Sequence, residues 1–166
     1  MSDRQQGVML VEAMIALLIF AMGVLAVIGM QARSIGQTMD ARYRVDAAFL
    51  ANQLLSEIWA SRTVANNGLP DTSTTTLYGN PGFYSCNPCT STNSNPVIQG
   101  WVQQIQSTTS QSAYLPGVTD IQNAPVISVS PSTPNSQPYT ITVTLHWKSP
   151  QGGATHNYTT MAQING

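Results

Sequence analysis

The chain has 166 residues, a net charge of −1 and only 8% charged side chains, against about 25% in an average soluble domain. That length accommodates one globular core besides a short extra segment, and the charge balance leaves no basic patch for a nucleic-acid backbone. Beyond Arg62 only Asp71, Asp120 and Lys148 come from the Asp, Glu, Lys and Arg set, so Ser, Thr, Asn and Gln must supply the polar surface.

Residues 1–7 form a polar leader, too short to fold by itself, that ends in Gly7. From Val8 to Met30 runs an apolar stretch of 23 residues whose one charge is Glu12. As a helix it spans roughly 34 Å, enough for a hydrocarbon core of about 30 Å. A carboxylate in such a run costs on the order of 2.5–3.5 kcal/mol at the bilayer centre. Glu12 stands one turn into the run and costs less, yet spanning gives no reason to carry it. An expensive group that the span does not need points to function.

The helix continues past Met30. No Pro occurs from Gln31 to Arg62, and Tyr43, Ala47, Leu50, Leu54 and Ile58 recur at helical spacing, with Val45, Ala48 and Phe49 beside them. That predicts a broad apolar face, with Arg33, Arg42, Arg44, Asp46, Glu57 and Arg62 on the remainder. Gly23, Gly29 and Gly36 each weaken a helix by about 1 kcal/mol relative to Ala, and in lipid such positions often serve helix packing. Asn66-Asn67-Gly68-Leu69-Pro70 punctuates the end.

A loop-rich region follows to about Pro96. Trp101, Ile105 and Leu115 predict a short second helix from about Gln99 to Tyr114, closed by Leu115-Pro116-Gly117. Strands are expected at Pro125–Ser130, Tyr139–Trp147 and about Thr155–Ile164. The middle one is clearest: Tyr139, Ile141, Val143, Leu145 and Trp147 alternate with Thr140, Thr142, Thr144 and His146, so one face is buried and one wet. The expected fold class is α+β: a long N-terminal helix, half transmembrane and half amphipathic, packed on a C-terminal antiparallel β-sheet.

A polar leader ending in Gly7, an apolar run opening at Val8 and Glu12 as the fifth residue after the Gly resemble the processing signal of type IV prepilins and pseudopilins. Val8, Met9 and Val11 stand where that family usually has Phe, Thr and Ile. Further on, Leu50-Ala51-Asn52-Gln53-Leu54-Leu55, the Trp101 segment and Val143-Thr144-Leu145-His146-Trp147 are similar to the PilV-type minor pilins. The resemblance implies a pilin-like fold and cleavage between Gly7 and Val8 by a membrane prepilin peptidase, with methylation of Val8. It implies an assembly role for Glu12. It also implies partners among minor and major pilins and an inner-membrane assembly platform. The implied layout is a leader (1–7), a transmembrane assembly helix (8–30), its amphipathic second half (31–65) and a periplasmic or extracellular domain (66–166). The N-terminus would be cytoplasmic and the subunit would pass from the inner membrane to the pilus. Arg4 before the run against Arg33, Arg42 and Arg44 after it argues the opposite orientation on charge alone, so orientation rests on the resemblance and the cysteines. The expected function is that of a minor pilin, a low-copy structural subunit that starts or caps a type IV pilus. A minor pseudopilin of a type II secretion system has the same N-terminus and stays open, as does an uncleaved anchor. An ordinary secretory signal has a shorter apolar core.

Cys86-Asn87-Pro88-Cys89 reads in three ways, one of them a pair of reduced or labile thiols. In an exported domain it is a structural disulfide that stiffens a surface turn; as an activated pair it makes the chain a membrane-anchored thiol oxidoreductase. No βαβ pattern surrounds it, which favours the disulfide. His146 and His156 lie ten positions apart, with His146 57 residues beyond Cys89, a spacing that fits no compact zinc finger. His146 falls on the wet face of its strand. No G-x-S-x-G and no Gly-rich phosphate loop occur. No catalytic residue, metal ligand or cofactor is therefore assigned, and no enzyme activity is expected.

Overall fold

The computed structural model describes residues 4–61, 73, 75–108, 114–149 and 153–165. In chain order its elements are helix α1 (Arg4–Ala60), a 3-10 turn at Pro81–Tyr84, helix α2 (Pro96–Gln106), a 3-10 turn at Ile121–Asn123, and strands β1 (Val126–Ser130), β2 (Tyr139–Lys148) and β3 (Thr155–Ile164). The long N-terminal helix and the three-stranded antiparallel sheet make the fold α+β. Two compact units divide the chain, Met1–Met39 and Asp40–Gly166.

The first unit is helical from Arg4, inside the expected leader. Extending a helix that already exists costs far less than nucleating one, so a leader too short to fold alone can still be helical. Every side chain from Val8 to Met30 is exposed. The stretch Val8–Ser61 contains an 18-residue window of mean hydropathy 2.7, none of it buried. It is the one helix among the described residues long and apolar enough to cross a membrane, and it is compatible with a single-pass anchor.

In the second unit, Asp40 to Ala60 of α1 belongs to the globular core. Ala47, Leu50, Ala51, Leu54, Leu55 and Ile58 are buried at three- and four-residue steps, the stripe a helix presents to one neighbour. The face is narrower than the sequence suggests, since Val45 and Phe49 stay mostly exposed. Both lie about a quarter-turn or more off the buried stripe. The expected stop at 66–70 falls outside the described residues.

α2 starts earlier and ends earlier than the apolar spacing predicts. Asn95 caps it, its side-chain oxygen accepting from the Val97 and Ile98 amides, and Pro96 opens the first turn, where its missing N–H is harmless. Ile98, Trp101, Val102 and Ile105 face the core. The Trp101 indole N–H donates to the Leu50 carbonyl at 2.9 Å, and Gln53 and Gln104 exchange side-chain amide bonds at 3.1 and 3.3 Å. α2 is thereby tied to α1. Leu115-Pro116-Gly117 does not close that helix. It forms a separate turn, in which Gly117 takes φ +80° and the Pro116 carbonyl accepts from the Lys148 amide at 2.8 Å. A Cβ on Gly117 would lie 3.0 Å from that of Lys148, so close approach and backbone conformation both call for Gly.

The three strands pair in the order β1-β2-β3, all antiparallel. β2 alternates as expected: Tyr139, Ile141, Val143, Leu145 and Trp147 are buried, opposite Ile127 and Val129 of β1 in register. These side chains and the α1 stripe share one core. The loop-rich region before α2 contributes more than turns. Leu77, Tyr78 and Tyr84 are buried, and the Tyr84 hydroxyl donates to the Thr75 carbonyl at 3.1 Å.

Candidate functional site

Helical geometry sets the surroundings of Glu12. Side chains three and four residues apart share a helix face, so Val8, Val11, Ile15, Ala16 and Ile19 line one shallow groove with Glu12. A second groove, lined by Phe20, Gly23, Val24, Val27, Ile28 and Gln31, follows on the helix surface. Ala16, with only a methyl group, and Gly23, with no side chain, help make these depressions. A Cβ added to Gly23 or Gly29 would meet nothing within 4 Å. Packing inside the chain therefore does not require glycine at either position.

Glu12 is exposed among apolar neighbours, four residues from Val8 and thus on the same side of the helix. A carboxylate in that setting can do one specific thing. It can pair with a cation that approaches along the apolar face, and in a low dielectric such a pair is far stronger than in water. Gly7 lies within α1, immediately before Val8.

Cys86 and Cys89 sit at disulfide distance, with Cα atoms 4.9 Å apart. Cys86 is partly exposed and Cys89 fully buried. Neither is at a helix N-terminus, the setting that lowers a thiol pKa most directly; α2 begins only at Pro96. Beside them a cleft of about 280 Å³ is lined by Cys89, Thr90, Ser91, Gln106, Val118 and Ile121 among others, with no acidic or basic side chain among the described residues.

The two histidines take other partners. His146 is half-buried rather than freely solvated, with Nδ1 3.3 Å from the Ala124 carbonyl. His156 stacks on Trp147, ring centroids 5.7 Å apart, with Nε2 3.6 Å from Asp40 Oδ1. Among the described residues no group of three or more His, Cys, Asp or Glu gathers as a metal would need.

Sequence reasoning missed the Asp40 cluster. The Trp147 indole N–H donates to Asp40 Oδ1 at 3.1 Å, across 107 positions of chain. In the sequence Asp40 is one of four charges between Asp40 and Asp46, with nothing local to single it out. Scanned against protein-family models, curated proteins and solved structures, the chain finds no match.

Proposed function

We propose that this chain is a minor pilin, a low-copy structural subunit that helps start or cap a type IV pilus. One observation carries the reading. A single helix presents an exposed apolar surface from residue 8 to 30, interrupted only by Glu12, and then serves from residue 47 to 58 as a wall of an α+β core. An anchor alone would need neither the carboxylate nor the amphipathic continuation. The glycines at 23 and 29, which the chain does not need for its own packing, suit a helix that packs against neighbouring helices. In this reading a prepilin peptidase cuts after Gly7, Val8 becomes a methylated N-terminus, and Glu12 pairs with the N-terminal amine of a subunit already in place. The soluble domain passes from the periplasmic side of the inner membrane to the fibre.

Intact-mass and N-terminal sequencing of the full chain, expressed in cells that contain the peptidase, tests this directly. The expected mature protein begins at Val8 with one added methyl group, while Gly7→Val stays full-length in the membrane. A mature chain that starts anywhere else removes the basis of the proposal.

A further inference from the structure

Along an antiparallel strand, alternate residues turn their backbone groups to opposite edges. β1 lies at one edge of the sheet, and there the outward set runs through Pro125, Ile127 and Val129. Segment 85–89 takes these groups. The Cys86 N–H donates to the Ile127 carbonyl and the Ile127 N–H to the Cys86 carbonyl, both at 3.0 Å. The Cys89 N–H donates to the Pro125 carbonyl at 2.8 Å, and the Val129 N–H donates to the Ser85 hydroxyl oxygen at 3.1 Å. Pro125 and Pro131 on either side have no N–H to offer. The residues whose N–H groups reach Ile127 of β1 and Pro125 just before it are the cysteines, the two that the disulfide joins.

We infer that the Cys86–Cys89 bond is a redox-sensitive latch: it holds segment 85–89 over the β1 edge, and a dithiol reductant frees that segment without unfolding the domain. Attack falls on the Cys86 sulfur, which is the accessible one, because Cys89 is fully buried. A thiolate of the reductant forms a mixed disulfide with Cys86 as the protein S–S bond breaks. The second thiolate of the reductant then displaces Cys86. Two electrons and two protons pass to the cysteines, which end as thiols, and the reductant ends as its own disulfide. Closing so short a loop constrains the chain only locally, so the effect of opening it is local too. The Ile127 and Val129 amides lose their partners and turn to water, while β2, paired on both sides, keeps its ladder.

Residue-resolved amide hydrogen exchange on the full chain in detergent micelles tests the latch. The oxidised protein is compared with protein reduced by dithiothreitol and alkylated, and with the Cys86→Ser/Cys89→Ser double variant. Exchange at Ile127 and Val129 should accelerate about tenfold or more in both, with Val143 and Leu145 unchanged. Ser85→Ala, with the disulfide intact, should accelerate Val129 alone. Unchanged Ile127 and Val129 amides after reduction would overturn the latch. Equal acceleration in β2 would overturn it as well, because the bond would then be a staple for the whole domain.

Discussion

Two side chains of β2 show how single residues set the conditions of stability. Tyr139 is fully buried against Tyr78, with ring centroids 5.6 Å apart, and its hydroxyl donates to the Thr133 carbonyl at 3.2 Å. Burial raises its pKa above the ordinary tyrosine value and the nearby Tyr78 adds to this, against opposing hydrogen bonds from the Ser136 and Asn135 backbone. The fold thus favours the neutral phenol. Its contribution is complete below the unfolded pKa of about 10 and is lost as pH rises through the higher folded value. Tyr139→Phe should cost about 0.5–1.5 kcal/mol at neutral pH yet flatten the decline above pH 10. Parallel wild-type and variant curves in urea melts across that range would refute the assignment. At Trp147 the argument concerns satisfaction of a donor. Its ring is buried and its N–H ends on Asp40, so Asp40→Ala leaves a buried donor unpaired, at about 1–3 kcal/mol. Asp40→Asn retains an acceptor and should retain most of the stability. If the two variants lose the same amount in denaturant titration, the hydrogen bond is not what Asp40 contributes.

Among the elements, α2 depends on a residue outside itself. Asn95 is 1% exposed, and both ends of its amide are used. Its oxygen accepts from two amides of the first turn, and its Nδ2 donates to the Phe83 carbonyl at 3.2 Å. One side chain therefore caps the helix and ties it to the preceding 3-10 turn. Asn95→Ala should destabilise the domain by about 1–2 kcal/mol, and Asn95→Ser or Asn95→Asp should restore the cap but not the Phe83 bond. A thermal melt in which Asp recovers full stability would show that the tie to Phe83 counts for nothing. The sheet is similarly lopsided. β1 has its edge occupied by segment 85–89, whereas β3 pairs only with β2 among the described strands.

For the whole molecule, the proposed function turns on Glu12. On that proposal, cleavage after Gly7 would leave an amine on Val8 and a carboxylate on Glu12 on one helix face, within the groove that Val8 and Glu12 line. Left unpaired in lipid, either charge is penalised, and pairing with a neighbouring subunit relieves that penalty. Glu12→Ala should still be cut and still reside in the membrane, but its recovery in sheared pili should fall about tenfold or more, the effect of losing roughly 1.4 kcal/mol of pairing free energy. Wild-type recovery would mean that the carboxylate does not drive assembly in this protein.

Local pattern was enough for several features. The apolar run with Glu12 inside it, the continuation of α1, and β2 with its alternating faces all follow from periods of 3.6 and 2 read within a few turns of chain. β3 appears at the predicted bounds, Thr155–Ile164, because its flanking Gly and Pro residues mark where pairing must stop. The start of α2 is set by Asn95-Pro96, a capping signal that apolar spacing around Trp101 does not register. What tertiary structure alone decided is which groups meet across long separations. Asp40 with Trp147, Trp101 with the Leu50 carbonyl, and Leu77 and Tyr78 within the core leave no trace in local periodicity. Each partner looks ordinary in its own window. The same holds for Cys86 and Cys89. Their spacing allows a bond, but only the fold brings their backbone amides to Ile127 on the β1 edge and to Pro125 just before it.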